Sequence, residues 1–220
     1  MEGILIVNKS KGLTSQDVVS KIKKILSIKK AGHTGTLDPL ATGVLPILIG
    51  NHTKLSKYLI EHDKVYRAKI QFGEKRETGD LEGKVIETSE KRITNVEEIK
   101  KVLSAMLGKQ MQIPPMYSAI KINGKKLYEY ARSGERVEVP AREIEIYQLD
   151  FIDFKEEEQI LEMEVSCSKG TYIRTLCENI AEKLGTVRIY AWALQNSSRQ
   201  VSNKRCINFW RIRKLKRTKR

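Results

Sequence analysis

The sequence predicts an α+β fold, with a central mixed and mostly antiparallel sheet flanked by helices. Segments with the alternation of half-buried strands and segments with helical apolar spacing follow one another without regular βαβ order. The tetrapeptide KING at residues 121–124 is typical of a tight hairpin turn, which joins antiparallel strands. The chain shows no internal repeat at the roughly 20–50-residue period of a solenoid.

The first 60 residues predict two strands and two helices. Residues 3–8 and 44–49 are apolar runs of strand length. Thr14 or Ser15 is suited to cap a helix that runs to Leu26, because apolar residues then recur on one helical face. A loop rich in Gly and Pro precedes the second strand, and residues 53–60 predict a short second helix.

The rest of the chain predicts further strands and helices in mixed order. Residues 66–72 alternate apolar and polar side chains, as in a strand with one buried face. Gly79 and Gly83 bracket a turn before a strand at 84–88, and Asn95 is suited to cap a helix ending near Leu107. The remaining predicted elements are helices at 127–132 and 171–184 and strands at 142–154 and 160–166.

Composition favours a globular protein of the cytoplasm. A chain of 220 residues can bury a core as one large or two small domains. Its longest apolar runs are far shorter than a membrane span, and its N-terminus lacks the pattern of a signal peptide. Cys167, Cys177 and Cys206 are odd in number and form no C-x-x-C pair, which argues against a disulfide framework or a zinc site.

The net charge of +14 suggests a nucleic-acid partner, but the charge is unevenly distributed. Eleven of the 41 Lys and Arg residues fall in residues 188–220, which contain no Asp or Glu. Residues 1–187 therefore carry 30 basic and 27 acidic side chains. Most of the positive charge belongs to the C-terminal tail.

The segment GHTGTLDPLATGVLP at residues 32–46 contains the first candidate for chemistry, Asp38. Gly35, Pro39 and Gly43 surround it, and these residue types favour a tight, stiff turn. A carboxylate at the tip of such a turn can act as a nucleophile or a base. Spacing alone, however, favours the simpler role of an Asp that caps the next turn.

The same segment resembles the catalytic motif of the tRNA pseudouridine(55) synthases, the TruB family. Other segments resemble that family in the same order, and together they cover residues 3 to about 187. They are GILIVNKSKGLTSQDVV, KVYRAKIQFG, ETGDLEGKV, QIPPMYSAIKINGKKLYEYARSGE and CSKGTYIRTL. The resemblance implies the pseudouridine synthase fold, whose central sheet carries a cleft that receives RNA.

The resemblance also implies a reaction, isomerisation of the T-arm uridine at position 55 of tRNA. The N1–C1′ bond breaks, the uracil turns and C5 rejoins the ribose, so no metal or other cofactor is expected. The base must leave its stack to reach the enzyme. We expect tRNA as the partner, no membrane, and a cytoplasmic monomer.

Several site residues follow from the resemblance. Asp38 is the expected nucleophile, although its target, ribose C1′ or the uracil ring, stays open. Arg174 is expected to pair with Asp38, the alternative being a solvated surface arginine. Tyr66 is expected to stack on the uracil and Tyr172 to contact it, unless they are ordinary strand or core tyrosines. His33 is expected to hold the flipped nucleotide.

Three further residues are weaker candidates for substrate binding. Asp80 lies in the acidic turn of the resemblance, although a turn-forming Asx residue explains it almost as well. Lys9 and Lys121 are candidates for phosphate contacts, although solvation is the default for lysines.

The resemblance stops after Val187. The family continues with a strand of the form GYM-x-x-L-x-RT-x-V-G-x-F, whereas this chain has Ala193 in place of the leucine that packs on the target base. With suitable codons, a neighbouring reading frame encodes GYMHGLCRTQVGKF. We therefore expect a catalytic domain at 1–187 and, at 188–220, a mobile tail foreign to the family. The missing family strand would leave an unpaired sheet edge beside the site. The alternative is a genuine basic RNA-binding tail.

Overall fold

The computed structural model describes residues 1–59, 63–76, 84–198 and 201–202. Two compact units are present, one formed by Met1–Arg67 with Ala193–Arg220 and the other by Ala68–Trp192. None of the helices in the described part of the chain is long and apolar enough to cross a membrane.

Strands and helices alternate irregularly along the chain, as the sequence predicts. The strands are β1 (Gly3–Lys9), β2 (Ala31–His33), β3 (Thr42–Ile49), β4 (Lys64–Phe72), β5 (Glu74–Arg76), β6 (Val85–Thr88), β7 (Gly108–Gln112), β8 (Lys121–Ile122), β9 (Lys125–Lys126), β10 (Arg142–Lys155), β11 (Ile160–Cys167), β12 (Arg188–Ser198) and β13 (Val201–Ser202). The helices are α1 (Ser15–Leu26), α2 (Ser56–Leu59), α3 (Val96–Ala105), α4 (Leu127–Arg132) and α5 (Ile173–Lys183), with a 3-10 helix at Gly50–Leu55.

The first unit is built around β3. This strand pairs antiparallel with β1, from Gly3↔Ile49 to Lys9↔Gly43, and antiparallel with the short β2. Thr14 caps α1 in a reciprocal capping box with Asp17, which satisfies main-chain donors at the helix start. The apolar face of α1 then packs into a core formed by Val7, Val18, Val19, Ile22, Leu37, Ala41, Leu45 and Ile47.

The prediction of an unpaired sheet edge at the C-terminal tail is wrong. Residues Arg188–Ser198 form β12, which pairs parallel with β3 at Leu194↔Thr42 and Gln195↔Gly43 and antiparallel with β13. Strand pairing uses main-chain groups that every residue except proline can supply, so an atypical side-chain sequence does not prevent it. Residues 203–220 lie outside the described residues.

The second unit contains β11, β10 and β7, neighbours in that order, together with the part of β4 that follows Arg67. Strand β10 pairs antiparallel with β11, from Ile146↔Cys167 to Lys155↔Ile160, and with β7, from Arg142↔Gln112 to Ile146↔Gly108. Helix α3, capped by Asn95, contacts β10 and α5. Alternate residues of β11 are buried, and the predicted strand at 160–166 is confirmed.

Two small antiparallel pairs complete this unit, β5 with β6 and β8 with β9. The turn between β8 and β9 has Asn123 at φ 52° and Gly124 at φ 81°, the left-handed conformations that favour these two residue types. The predicted hairpin is therefore confirmed. The predicted turn at Gly79 and Gly83 lies outside the described residues, as does Asp80.

Candidate active site

Asp38 lies in the loop that joins β2 to β3. Its neighbours Leu37, Leu40 and Ala41 are buried, and Leu37 and Ala41 belong to the core against which α1 packs. The main-chain N–H of Ala41 donates to the carbonyl of Asp38 at 3.0 Å, which closes a tight turn. The loop is thus anchored by apolar side chains on either side of a half-buried Asp38.

Ser15 holds the residue that precedes Asp38. The Ser15 side chain is 2% exposed, and its Oγ accepts a hydrogen bond from the Leu37 N–H at 2.9 Å. The same hydroxyl donates to the Leu37 carbonyl at 3.4 Å. Because both main-chain groups of Leu37 bond to one buried hydroxyl, the loop is fixed to the first turn of α1.

Lys9 holds the residue that follows Asp38. Its Nζ donates to the carbonyl of Pro39 at 3.1 Å, and also to the carbonyls of Leu13 at 2.7 Å and Ser10 at 3.2 Å. The Gly12 N–H donates to the same Pro39 carbonyl at 2.9 Å. Asp38 therefore lies between two residues whose main chains are held by buried polar side chains.

The prediction that Lys9 contacts phosphate is wrong for this structure. The residue is 0% exposed, and its ammonium group already donates to three carbonyls. Burial lowers the pKa of Lys9 from 10.5 to about 8, although the negative charges of Asp38 and Asp17 act in the opposite direction. Its role is to support the loop.

Sequence reasoning missed Ser15 as a support for the site. The available signal was its spacing, because positions 15, 18, 19 and 22 lie on one face of α1 and all four are buried. A hydroxyl on an apolar helical face needs a hydrogen-bond partner within the protein. Here that partner is the main chain of Leu37, in the loop between β2 and β3.

Tyr66 lies in the same unit as Asp38 and packs against the core that contains Leu37 and Ala41. It is half-buried on β4, two residues after Lys64. A Cβ built on Gly35 would lie 4.0 Å from Cε of Lys64, so the loop passes close to the start of β4. An aromatic side chain is thereby placed in the neighbourhood of the Asp38 loop.

His33 is the last residue of β2 and leads into the loop. Burial lowers its pKa below the usual 6.5, and a hydrogen bond with the Gly35 main chain opposes this change only in part. The imidazole is therefore neutral at pH 7, the state in which one ring nitrogen donates and the other accepts.

Arg174 lies in the first turn of α5, in the second unit. It is 7% exposed, which excludes the alternative of a solvated surface arginine. Its Nη2 donates to the carbonyl of Tyr117 at 2.7 Å. This bond fixes the direction of a guanidinium that offers five donors in a rigid fork.

Tyr172 is the N-cap residue of α5 and is half-buried. The side-chain amide of Gln112 bonds to both main-chain groups of Tyr172. Lys121 is exposed at the start of β8. The structure thus groups Lys9, His33, Asp38 and Tyr66 in one unit, while Tyr172, Arg174 and Lys121 belong to the other.

A family model decides the membership of the chain. Residues 23–173 match the model described as TruB family pseudouridylate synthase, N terminal domain. The chain belongs to the TruB family of pseudouridylate synthases. The matched residues include the Asp38 loop, Tyr66 and Tyr172, and they end one residue before Arg174.

Bacterial relatives agree with this assignment. The chain is 50% identical over 184 residues to tRNA pseudouridine synthase B of Caldanaerobacter subterraneus subsp. tengcongensis, covering 84% of this chain and 64% of the relative. It is also 50% identical over 186 residues to the Oceanobacillus iheyensis protein of that name, covering 84% of this chain and 61% of the relative. Identity to the Bacillus cereus protein is 43% over 217 residues, covering 96% of this chain and 71% of the relative. The chain thus spans less than two thirds of the first two relatives.

Two solved structures share the fold. A Cbf5-Nop10-Gar1 complex contains a chain that matches with a TM-score of 0.72 at 26% identity, covering 94% of this chain and 52% of that one. A Nop10-Cbf5 complex of an archaeal box H/ACA particle matches with a TM-score of 0.70 at 23% identity, covering 96% of this chain and 53% of that one. The predicted α+β pseudouridine synthase fold is confirmed.

Proposed function

We propose that this chain converts uridine 55 in the T-arm of tRNA into pseudouridine, with Asp38 as the nucleophile. Family membership and the names of its bacterial relatives support this proposal. The observation that carries it is the double support of the Asp38 loop, by Ser15 on one side and Lys9 on the other.

The reaction makes a specific demand on this loop. The N1–C1′ bond of the nucleotide breaks, a C5–C1′ bond forms, the proton leaves C5, and N1 gains a proton. The proton that leaves C5 is balanced by the one that N1 gains, so the product is an isomer of the substrate. We propose that the protein supplies a nucleophilic carboxylate and a place for the extruded base. A nucleophile acts efficiently only when it is held close to its attack geometry, because misplacement by about 1 Å can cost about 100-fold in rate.

The other candidates have roles that suit their surroundings. The ring of Tyr66 offers an aromatic face for the uracil, and its phenol can relay a proton. The neutral imidazole of His33 can hydrogen-bond and fill the space that the flipped base leaves. By the family resemblance, Arg174 is the partner that we propose for the nucleophile, Tyr172 a contact to the base, and Lys121 a contact to the RNA backbone.

The test is tritium release from a T-arm stem-loop that carries [5-³H]uridine. We expect release of one tritium per stem-loop, because only the C5 hydrogen of the isomerised uridine is lost. A matched stem-loop with cytidine at position 55 and the label in its other uridines should release none. Equal release from both RNAs would contradict the proposed position 55.

Binding without tritium release would support another function. In that case the chain would be a non-catalytic RNA-binding or tRNA-folding module, the alternative that the departure from the family pattern after Val187 raises. Binding is measured with the same stem-loop at fixed salt, because phosphate contacts make affinity strongly dependent on ionic strength.

A further inference from the structure

Gln112 is a buried polar residue that begins the segment QIPPMYSAIKINGKKLYEYARSGE and to which the resemblance assigns no role. It is the last residue of β7 and is 3% exposed. Its Oε1 accepts a hydrogen bond from the Tyr172 N–H at 2.8 Å, and its Nε2 donates to the Tyr172 carbonyl at 3.1 Å. One side-chain amide therefore imitates the pairing of a neighbouring strand at a single residue.

The position of Tyr172 makes this pairing consequential. As the N-cap of α5, Tyr172 has an extended conformation, and its N–H has no intrahelical acceptor. Its carbonyl accepts the first bond of the helix, from the Leu176 N–H at 3.0 Å, as well as the bond from Gln112. Gln112 thus holds the main chain at the point where α5 begins.

The segment that follows Gln112 also contacts α5. Arg174 Nη2 donates to the carbonyl of Tyr117, five residues after Gln112 in the chain. Three hydrogen bonds therefore tie residues 112–117 to residues 172–174, two between Gln112 and the Tyr172 main chain and one from the Arg174 guanidinium to Tyr117. Movement of the Tyr172 main chain would change the directions of the Tyr172 and Arg174 side chains.

We propose that Gln112 is a positioning residue for the proposed reaction, acting through Tyr172 and Arg174. It fixes the main chain from which these two side chains project, and it does not itself touch the substrate. This inference rests on the proposed function for its catalytic consequence, but the hold of Gln112 on Tyr172 can be tested independently.

The test compares Gln112→Met with Gln110→Met. Methionine keeps the approximate volume and removes both hydrogen bonds. Gln110 is a matched control, because it lies on the same strand and its Nε2 bonds to the Met106 carbonyl at 2.8 Å, away from Tyr172. Three quantities are measured in each folded variant: the Kd for the T-arm stem-loop, the single-turnover rate at saturating RNA, and hydrogen exchange of the Tyr172 amide.

For Gln112→Met we expect faster exchange at Tyr172 and a rate that falls by about 10–100-fold, with Kd within about threefold of the wild type. Gln110→Met should leave all three near the wild-type values. If Gln112→Met is not folded by circular dichroism, Gln112→Asn takes its place with the same expected results, since its shorter amide stays polar but cannot reach both main-chain groups of Tyr172.

Two results would overturn the proposal: unchanged protection of the Tyr172 amide, or an unchanged rate in an enzyme that makes pseudouridine. Equal rate losses in both variants would overturn it as well, since they would indicate a general effect of loosening β7. A wild-type chain that makes no pseudouridine contradicts the proposed function instead, and the exchange measurement then decides alone whether Gln112 holds Tyr172.

Discussion

The Oγ of Ser15 and the main chain of Leu37 are joined by hydrogen bonds in both directions, at 2.9 and 3.4 Å. The first turn of α1 is thereby fixed to the residue that precedes Asp38. Lys9 makes the corresponding bond to Pro39 at 3.1 Å. The candidate nucleophile is thus held from both sides by side chains that lie far from it in sequence.

We predict that Ser15→Ala slows catalysis more than it weakens RNA binding. The substitution leaves the Leu37 N–H and carbonyl without the Ser15 hydroxyl, which should cost about 1–3 kcal/mol in stability. Tritium release and stem-loop Kd measure the two effects. Ser20→Ala, on an exposed position of the same helix, is the control and should change neither. A rate equal to wild type would show that Asp38 does not need this support.

From the low pKa of Lys9 we predict how the free energy of unfolding depends on pH. Its pKa is about 8 in the folded protein against 10.5 as the ordinary value, so the unfolded state binds more protons between these two pH values. The free energy of unfolding therefore rises with pH over this window, by up to about 1.4 kcal/mol per pH unit. Below about pH 8 Lys9 is protonated in both states, so this gain is absent.

The comparison is the free energy of unfolding of the wild type minus that of Lys9→Met, measured by denaturant from pH 7 to 10.5. Subtracting the variant removes the titration of all other groups. We expect this difference to be constant below about pH 8 and to increase above it. A difference that is flat or decreases above pH 8 would contradict the low pKa of Lys9.

We predict that the ring of Tyr66 contributes to RNA binding and its hydroxyl to the reaction rate. Tyr66→Phe keeps the aromatic face, so RNA binding should persist, and a slower rate would reveal proton relay. Tyr66→Ala should also lose stacking, about 1–3 kcal/mol of binding free energy. Tyr58→Ala, which removes an exposed tyrosine of the same unit, is the control. If both Tyr66 variants match the wild type in rate and Kd, Tyr66 is only structural.

We predict that replacing the C-terminal tail by the family sequence increases stability and activity. Restoring the reading GYMHGLCRTQVGKF after Val187 should raise both Tm and rate, and Ala193→Leu alone should raise the rate by covering the target base. Since β12 pairs with β3 in the present sequence, we expect the gain to come from side chains and not from a new strand. A gene sequence that cannot encode this pattern in a neighbouring frame would contradict the frameshift.

Local chemistry made parts of the fold predictable. The limits of α1 follow from a capping residue and one apolar face, and the β8–β9 turn follows from an Asn-Gly pair. The predicted helix at 53–60 is instead a 3-10 helix followed by the four-residue α2. Strands β2, β5 and β7 were missed because they are short and lack a clean alternation, so their pairing depends on distant partners.

The site was predictable to a different extent. Asp38 stands out through its Gly and Pro neighbours, whereas the roles of Lys9 and Ser15 depend on carbonyl and N–H groups that converge only in the folded chain. The prediction for Lys9 was wrong because surface exposure is the default for lysine. The error at β12 came from judging a strand by its side chains, although its pairing with β3 is made by the main chain.

The most direct test is the rate of tritium release by Asp38→Asn, with Asp153→Asn as the control. Asparagine keeps the approximate shape of the side chain and removes the nucleophilic charge, while Asp153 is exposed on β10. We predict that Asp38→Asn binds the T-arm stem-loop with wild-type Kd and releases no tritium, whereas Asp153→Asn retains both properties. Comparable tritium release by purified Asp38→Asn would contradict the assignment of Asp38 as the nucleophile.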